Sequence, residues 1–143
     1  MINGPLNLLR ASAALAAIGL AIALGACGPS FSQVAVNNAS SLKDKSAATL
    51  AKATLPYADH KDEVEALRGE VDKACEQAKK QSRNDTSIQQ WELMRNPDGH
   101  LLGGALKRWQ TEGKLSPAFV TEVSDQISKG FDQIIDLETK KPK

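Results

Sequence analysis

The sequence predicts an all-α protein: a small bundle of four to five helices that follows a signal peptide and a short tether. Three observations carry that expectation. From about residue 39 onward, apolar residues recur every three or four positions in separate stretches. No stretch sustains the period-two alternation of a half-buried strand, and aromatic residues make up only 4% of the chain. Short breaks, most of them containing Pro or Gly, divide the stretches, as expected of helices packed side by side.

The first helix is expected over about Ser40 to Leu55, with Leu42, Ser46, Leu50 and Ala53 on one side and Pro56 closing it. A second spans about Asp59 to Gln81. Its face is Val64, Leu67, Val71, Cys75 and Ala78; Asp59, Asp62 and Glu63 suit its positive end, and Lys79 and Lys80 its negative end. Asn84 or Asp85 can cap a third helix holding Ile88, Trp91 and Met94. Asn96-Pro97-Asp98-Gly99 reads as a turn in which Pro presets φ, Asp bonds its own backbone and Gly relieves the exit. Leu101 to about Thr111 follows, with Leu102, Leu106 and Trp109 on one face, and Gly113 ends it. Ser116-Pro117 opens the last helix as N-cap and first-turn proline, and Val120, Val123, Ile127, Phe131 and Ile134 form its stripe. The closing Lys140-Lys141-Pro142-Lys143 is expected to fray as a solvated tail, with contact to anionic headgroups or cell-wall polymer as the alternative.

The segment ahead of these helices differs in kind. Residues 1–26 hold 18 apolar residues and one charged side chain, Arg10. Setting them aside leaves 117 residues with 17 basic and 17 acidic side chains. A balanced charge argues against a nucleic-acid binder, which needs a basic surface to displace counterions, and 117 residues make one modest core. Ala11 to Ala26 runs sixteen residues without a charge. As helix that is roughly 24 Å, short of the ~30 Å hydrocarbon core of a bilayer. A basic start, a short apolar run and a small-residue exit describe a signal peptide over 1–26. Gly28 to about Asn38 is rich in turn formers and reads as a flexible tether, so that 27–38 links membrane to domain and 39–143 is the folded part.

The exit itself is specific. Leu24-Gly25-Ala26-Cys27 resembles the lipobox of bacterial lipoproteins, a branched apolar residue and two small residues before Cys. The resemblance implies a diacylglyceryl thioether on Cys27, cleavage of the Ala26–Cys27 bond, and a further acyl chain on the new amino terminus. Two or three chains hold a protein firmly on a membrane, whereas one does so only marginally. It also implies a place in the cell envelope facing the periplasm. Gly28 stands where an Asp would retain the protein at the inner membrane, which leans toward the outer one. The alternative is ordinary secretion, with cleavage after Ala23 or Ala26 and no lipid. The two cysteines separate these readings: acylation consumes Cys27 and leaves Cys75 alone, whereas secretion leaves both free to bridge.

Few residues suggest chemistry. Cys75 shares a face with Leu67 and Val71, has no Cys-x-x-Cys partner, and reads as a small core residue. Asp59, His60, Asp62, Glu63 and the distant His100 follow no metal-ligand spacing, and the two His sit in no nucleophile motif. No catalytic residue, metal or cofactor is therefore expected. The distinctive stretch is Trp91 to Trp109. Gly103-Gly104 inside a helical pattern costs roughly 1 kcal/mol per Gly relative to Ala, and either a local break or a close approach by another helix or a bulky ring must offset that. Either Trp91 or Trp109 packs over the bare backbone, or Trp91, Gly103, Gly104 and Trp109 line a groove for a partner helix or peptide.

The expected role is accordingly a membrane-anchored protein with an interaction or structural part in the envelope, rather than an enzyme. Tether plus helical bundle is similar in layout to the pilotin lipoproteins, which escort secretion-channel subunits to the outer membrane. That likeness implies an assembly accessory. A metal carrier using His60 and His100, or a small-ligand carrier with a closed apolar cavity, are the alternatives.

Overall fold

The computed structural model describes Gly28–Lys143. Residues 1–27, over which a signal peptide and the acylated Cys27 are expected, lie outside the described residues. Five α-helices and no strand are found among the described residues: α1 (Gln33–Leu50), α2 (Lys61–Lys79), α3 (Asp85–Arg95), α4 (Leu102–Glu112) and α5 (Pro117–Thr139), with a 3-10 turn at Tyr57–Asp59 before α2. The chain is an all-α bundle, as the periodicity predicts. No helix among the described residues is long and apolar enough to cross a membrane.

α1 starts and stops earlier than its apolar spacing suggests. Ser32 is its N-cap, the Ser32 hydroxyl accepting from the Ala35 N–H at 3.3 Å, so residues 33–38, expected to belong to the tether, are helical. The Gln33 amide donates to Asn37 Oδ1 at 2.9 Å, an i,i+4 bond that supports the first turn. Beyond Leu50 the chain tightens into i,i+3 bonds, because Ala53 O turns to accept from the Leu115 N–H at 2.8 Å. Ala39, Leu42, Ser46, Thr49 and Leu50 are its buried face.

α2 buries Val64, Leu67, Val71, Cys75 and Ala78 as expected, and Ala74 with them. Its first turn holds Asp62 and Glu63 and its last turn Lys79, so both ends complement the helix dipole; Asp59 instead closes the 3-10 turn. Asn84 occupies the N-cap position of α3 but does not cap it. Its side chain is buried and donates to Ala78 O at 2.9 Å, tying α3 to the end of α2. In the next turn Asn96, not Asp98, makes the side-chain bond to the backbone: Asn96 Oδ1 accepts from the Asp98 N–H at 2.9 Å, while Asp98 Oδ1 accepts from Lys107 Nζ. Gly113, at φ 77, ends α4 in the left-handed region that glycine enters without steric cost. Ser116 caps α5, its hydroxyl accepting from the Phe119 N–H at 3.3 Å.

Packing closes a ring. α1 lies between α5 and α2, and α3 lies between α2 and α5, so four antiparallel helices surround one core in which Phe131, Leu50, Met94, Ile134, Val64 and Val71 are fully buried. α3 is a short helix, and α4 extends its position in the ring beyond the Asn96–Gly99 turn.

Each pole is tied by hydrogen bonds. At one, Tyr57 N–H donates to Gly113 O at 2.8 Å and Trp109 Nε1 donates to Leu55 O at 3.0 Å. At the other, Phe31 N–H donates to Pro142 O at 2.7 Å and Lys141 Nζ reaches Gln81 Oε1 at 3.1 Å. The tail expected to fray is therefore docked. The Lys141 side chain is 6% exposed and pairs at 2.6 Å with Glu138, whose side chain is 3% exposed. A charge this deeply covered needs its partner, and that need holds the last residues in place.

Candidate functional site

The break between α3 and α4 opens the ring wall on one side. α2 and α4 barely touch, and the Arg68 guanidinium bridges them only through bonds of 3.4 Å to Gln110 Oε1. Between α2, α3 and α4 lies an open groove of about 880 Å³. Val71, Met94, Leu102 and Leu106, all buried core residues, reach its floor. Leu93 and Pro97 line it from the solvent side, Leu93 being 53% exposed.

The charged residues along the groove are already matched to one another. Arg95 binds Glu92 twice at 2.7 Å and reaches Asp72 at 3.3 Å and Glu76 at 3.4 Å. Lys79 joins the same set, 2.8 Å from Glu92 and 2.9 Å from Glu76. The Arg95 guanidinium, followed by the Lys79 ammonium, pulls the Glu92 carboxyl down to about 2. Arg95 is raised in turn, chiefly by its hydrogen bonds to Glu92. This network clips α2 to α3 and leaves the apolar floor as the part of the groove without a partner.

Of the expected reasons for Gly103 and Gly104, the structure shows the close approach of another helix and not that of a bulky ring. An ideal Cβ on Gly103 would overlap the Arg95 carbonyl oxygen and stand 2.6 Å from the Asn96 carbonyl carbon. On Gly104 it would overlap the Gly99 carbonyl oxygen. Backbone, not an aromatic ring, covers the pair: the first turn of α4 is pressed against the end of α3 and the turn that follows it. Only Gly103 of the two lines the groove.

Neither tryptophan lines it, which corrects the expectation that their rings form a partner surface. Trp91 is 3% exposed and meets Phe131 edge to face, with centroids 6.1 Å apart. Trp109 is fully buried, edge to face with Tyr57 at 5.7 Å, and its indole N–H is spent on Leu55 O. In a chain this poor in aromatics the core has first claim on both. The groove residues that pattern reading passed over are Leu93 and Arg95. Leu93 had a signal, since it is an apolar residue off the Ile88, Trp91 and Met94 stripe and so belongs to the solvent side of α3.

The histidines do not converge on shared carboxylates. His60 lies against Trp109, with centroids 5.7 Å apart, and its Nδ1 is 3.6 Å from Glu63. Glu63 is itself held by Lys52 at 2.8 Å and by the Thr49 hydroxyl at 3.0 Å, and the Lys52 ammonium keeps its carboxyl below the usual range. His100 borders a separate depression of about 390 Å³ between α4 and α5, where the Arg108 guanidinium sits 4.2 Å above the Phe119 ring. Among the described residues no group of three His, Cys, Asp or Glu is placed to hold a metal ion. Cys75 is fully buried, and burial raises its thiol above the usual value. Cys27, the expected lipid attachment, lies outside the described residues. Comparison with protein-family models, with curated proteins and with solved structures finds no match to this chain.

Proposed function

We propose that this protein is an acyl-anchored lipoprotein of the cell envelope that offers the groove between α2, α3 and α4 to an apolar segment of another envelope protein. The observation that carries the reading is the groove itself, an apolar floor bordered by the exposed Leu93 and by the mutually paired charges of Glu92, Arg95, Asp72 and Lys79. Exposed apolar area of this kind is stabilised by covering it, and the neighbouring charges set the direction in which a segment lies. The lipobox Leu24-Gly25-Ala26-Cys27 supports the anchor, and Gly28 after the Cys supports a periplasmic face of the outer membrane. An open groove suits a segment of another chain better than it suits a sealed small ligand. Pilotin-like delivery is the special case in which the segment belongs to a secretion-channel subunit.

The test places a photo-crosslinking residue at Leu93 in one strain and at Lys129, on the exposed side of α5, in another. A discrete product from position 93 and none from 129, lost when Cys27→Ala removes the anchor, is the expected result. Equal, diffuse products from both positions, or none from either, would overturn the groove as a partner site.

A further inference from the structure

We infer that the pole of the bundle formed by the start of α1, the α2–α3 connection and the end of α5 lies on an anionic phospholipid surface. The inference rests on the acyl anchor proposed above and adds the face that meets the membrane and the chemistry that holds it there.

Chain length fixes the geometry. The Phe31 N–H is bonded to Pro142 O at 2.7 Å, so Phe31 belongs to the folded body and not to a loose leash. Four residues of chain lead from Cys27 to Phe31, and fully extended they reach at most about 14 Å. Acyl chains on Cys27 therefore hold this pole within that distance of the headgroups. The docked tail brings the rest of the pole with it, because Lys141 Nζ contacts Gln81 Oε1 in the α2–α3 connection.

What the pole presents suits such a surface. Lys80, Arg83, Lys140 and Lys143 are exposed there. The acidic groups facing them are Asp136, paired with Lys140 at 2.6 Å, Glu138, paired with the buried Lys141, and Asp85. Lys80, Arg83 and Lys143 make no ion pair among the described residues and outnumber Asp85, a local excess of positive charge in a domain whose basic and acidic side chains balance overall. Arg83 sits at φ 55, in the left-handed region where Gly or Asn is the easier choice, so the turn itself does not ask for an arginine. Apolar groups adjoin the charges. Val34 in the first turn of α1 is 67% exposed, and Lys143 Nζ lies 5.6 Å from the half-buried Phe31 ring. Basic side chains beside exposed apolar ones are the composition of an interfacial surface, with the cations meeting phosphate and the apolar groups entering the headgroup boundary. The opposite pole, around Asp59, Asp62, Glu112 and Lys114, has no such excess.

The test uses the full chain, matured in cells, purified and reconstituted in vesicles of phosphatidylethanolamine and phosphatidylglycerol, after mass spectrometry has established whether Cys27 is acylated. An environment-sensitive dye is placed at Val34→Cys or, in a second protein, at Lys114→Cys, and is quenched by nitroxide lipids. Quenching stronger by about threefold or more at position 34 is expected, falling when Lys80, Arg83 and Lys143 become Glu or when phosphatidylcholine replaces phosphatidylglycerol. Equal quenching at both positions in acylated protein overturns this orientation and leaves the anchor standing. Strong quenching at 34 that ignores both changes of charge overturns anionic recognition. A mature chain without acyl groups overturns the anchor and, with it, this inference.

Discussion

Gly103→Ala is the sharpest single perturbation of this fold, because two opposing effects of known size meet at one atom. Within a helix, Ala is favoured over Gly by about 1 kcal/mol through backbone entropy alone. Gly69 of α2 shows what that is worth here: a Cβ at Gly69 meets nothing within 4 Å, so Gly69→Ala should stabilise the protein by about 1 kcal/mol. At Gly103 the same Cβ would stand 2.6 Å from the Asn96 carbonyl carbon and closer still to Arg95 O. Carbon pairs rest at about 3.5–4.0 Å, so α4 must back away from the end of α3 by roughly 1 Å. The obstacle is backbone at a helix end and cannot rotate aside. Overpacking of this kind costs about 1–3 kcal/mol and sometimes more, which outweighs the propensity gain. Gly103→Ala should therefore destabilise by up to about 2 kcal/mol net, opposite in sign to Gly69→Ala. Urea unfolding of the two variants beside the parent, followed by circular dichroism, reads both signs at once. A Gly103→Ala protein as stable as Gly69→Ala would refute the close approach, and with it the account of how α4 is seated beside the groove.

Three further outcomes follow from individual contacts. The Ser46 hydroxyl is fully buried without a hydrogen-bond partner, so Ser46→Ala should raise stability by about 1 kcal/mol; a comparable loss in urea unfolding would mean the hydroxyl is bonded after all. Lys141→Met leaves Glu138 buried and uncompensated and should cost about 3 kcal/mol, while the double variant with Glu138→Leu should recover most of it; equal midpoints for single variant and parent would contradict a docked tail. Glu92 has a folded-state value depressed to about 2, so its contribution is fully present above its ordinary carboxylate value near 4.5 and is lost as pH falls through about 2. Its side chain is 43% exposed and screened by water, which limits the effect to about 1 kcal/mol. Stability measured across that window should fall less in Glu92→Gln than in the parent, and parallel curves would show that the network with Arg95 and Lys79 carries no net energy.

The helices were legible because each buries one continuous stripe. The Val64 to Ala78 face and the Val120 to Ile134 face are the core as read from spacing alone, and the Ser116-Pro117 start is a local signal that local geometry obeys. What spacing missed was settled by partners remote in sequence. Residues 33–38 looked like tether because Val34 and Val36 hold no helical stripe, yet Ser32 caps a helix there and Phe31 is fastened to Pro142. Asn84 looked like a cap because its type caps helices, but Ala78 O claimed its amide. The glycine pair was legible as a cost that a close approach by another helix could offset, but not which carbonyls make that approach, since they come from the preceding helix end and turn. The groove was the least legible feature, because it is a gap between elements; only Leu93, off its helix's apolar stripe, hinted at it.

The pairing of α1 with α5 bears on the order of events as the chain acquires its structure. α1 packs most extensively on the last helix, and the backbone bonds Leu115–Ala53 and Phe31–Pro142 close loops that span about half and nearly all of the described residues. Such closures are slow, because their entropic cost comes before the contacts that offset it. A chain that emerges amino end first must hold the face of Ala39, Leu42 and Leu50 uncovered until α5 arrives. Pulsed hydrogen exchange during refolding should then show the amides of α1 and α5 gaining protection together and not in chain order. Until Ile134 is in place no earlier fragment has a finished core, and the native ring closes only when its last helix is delivered.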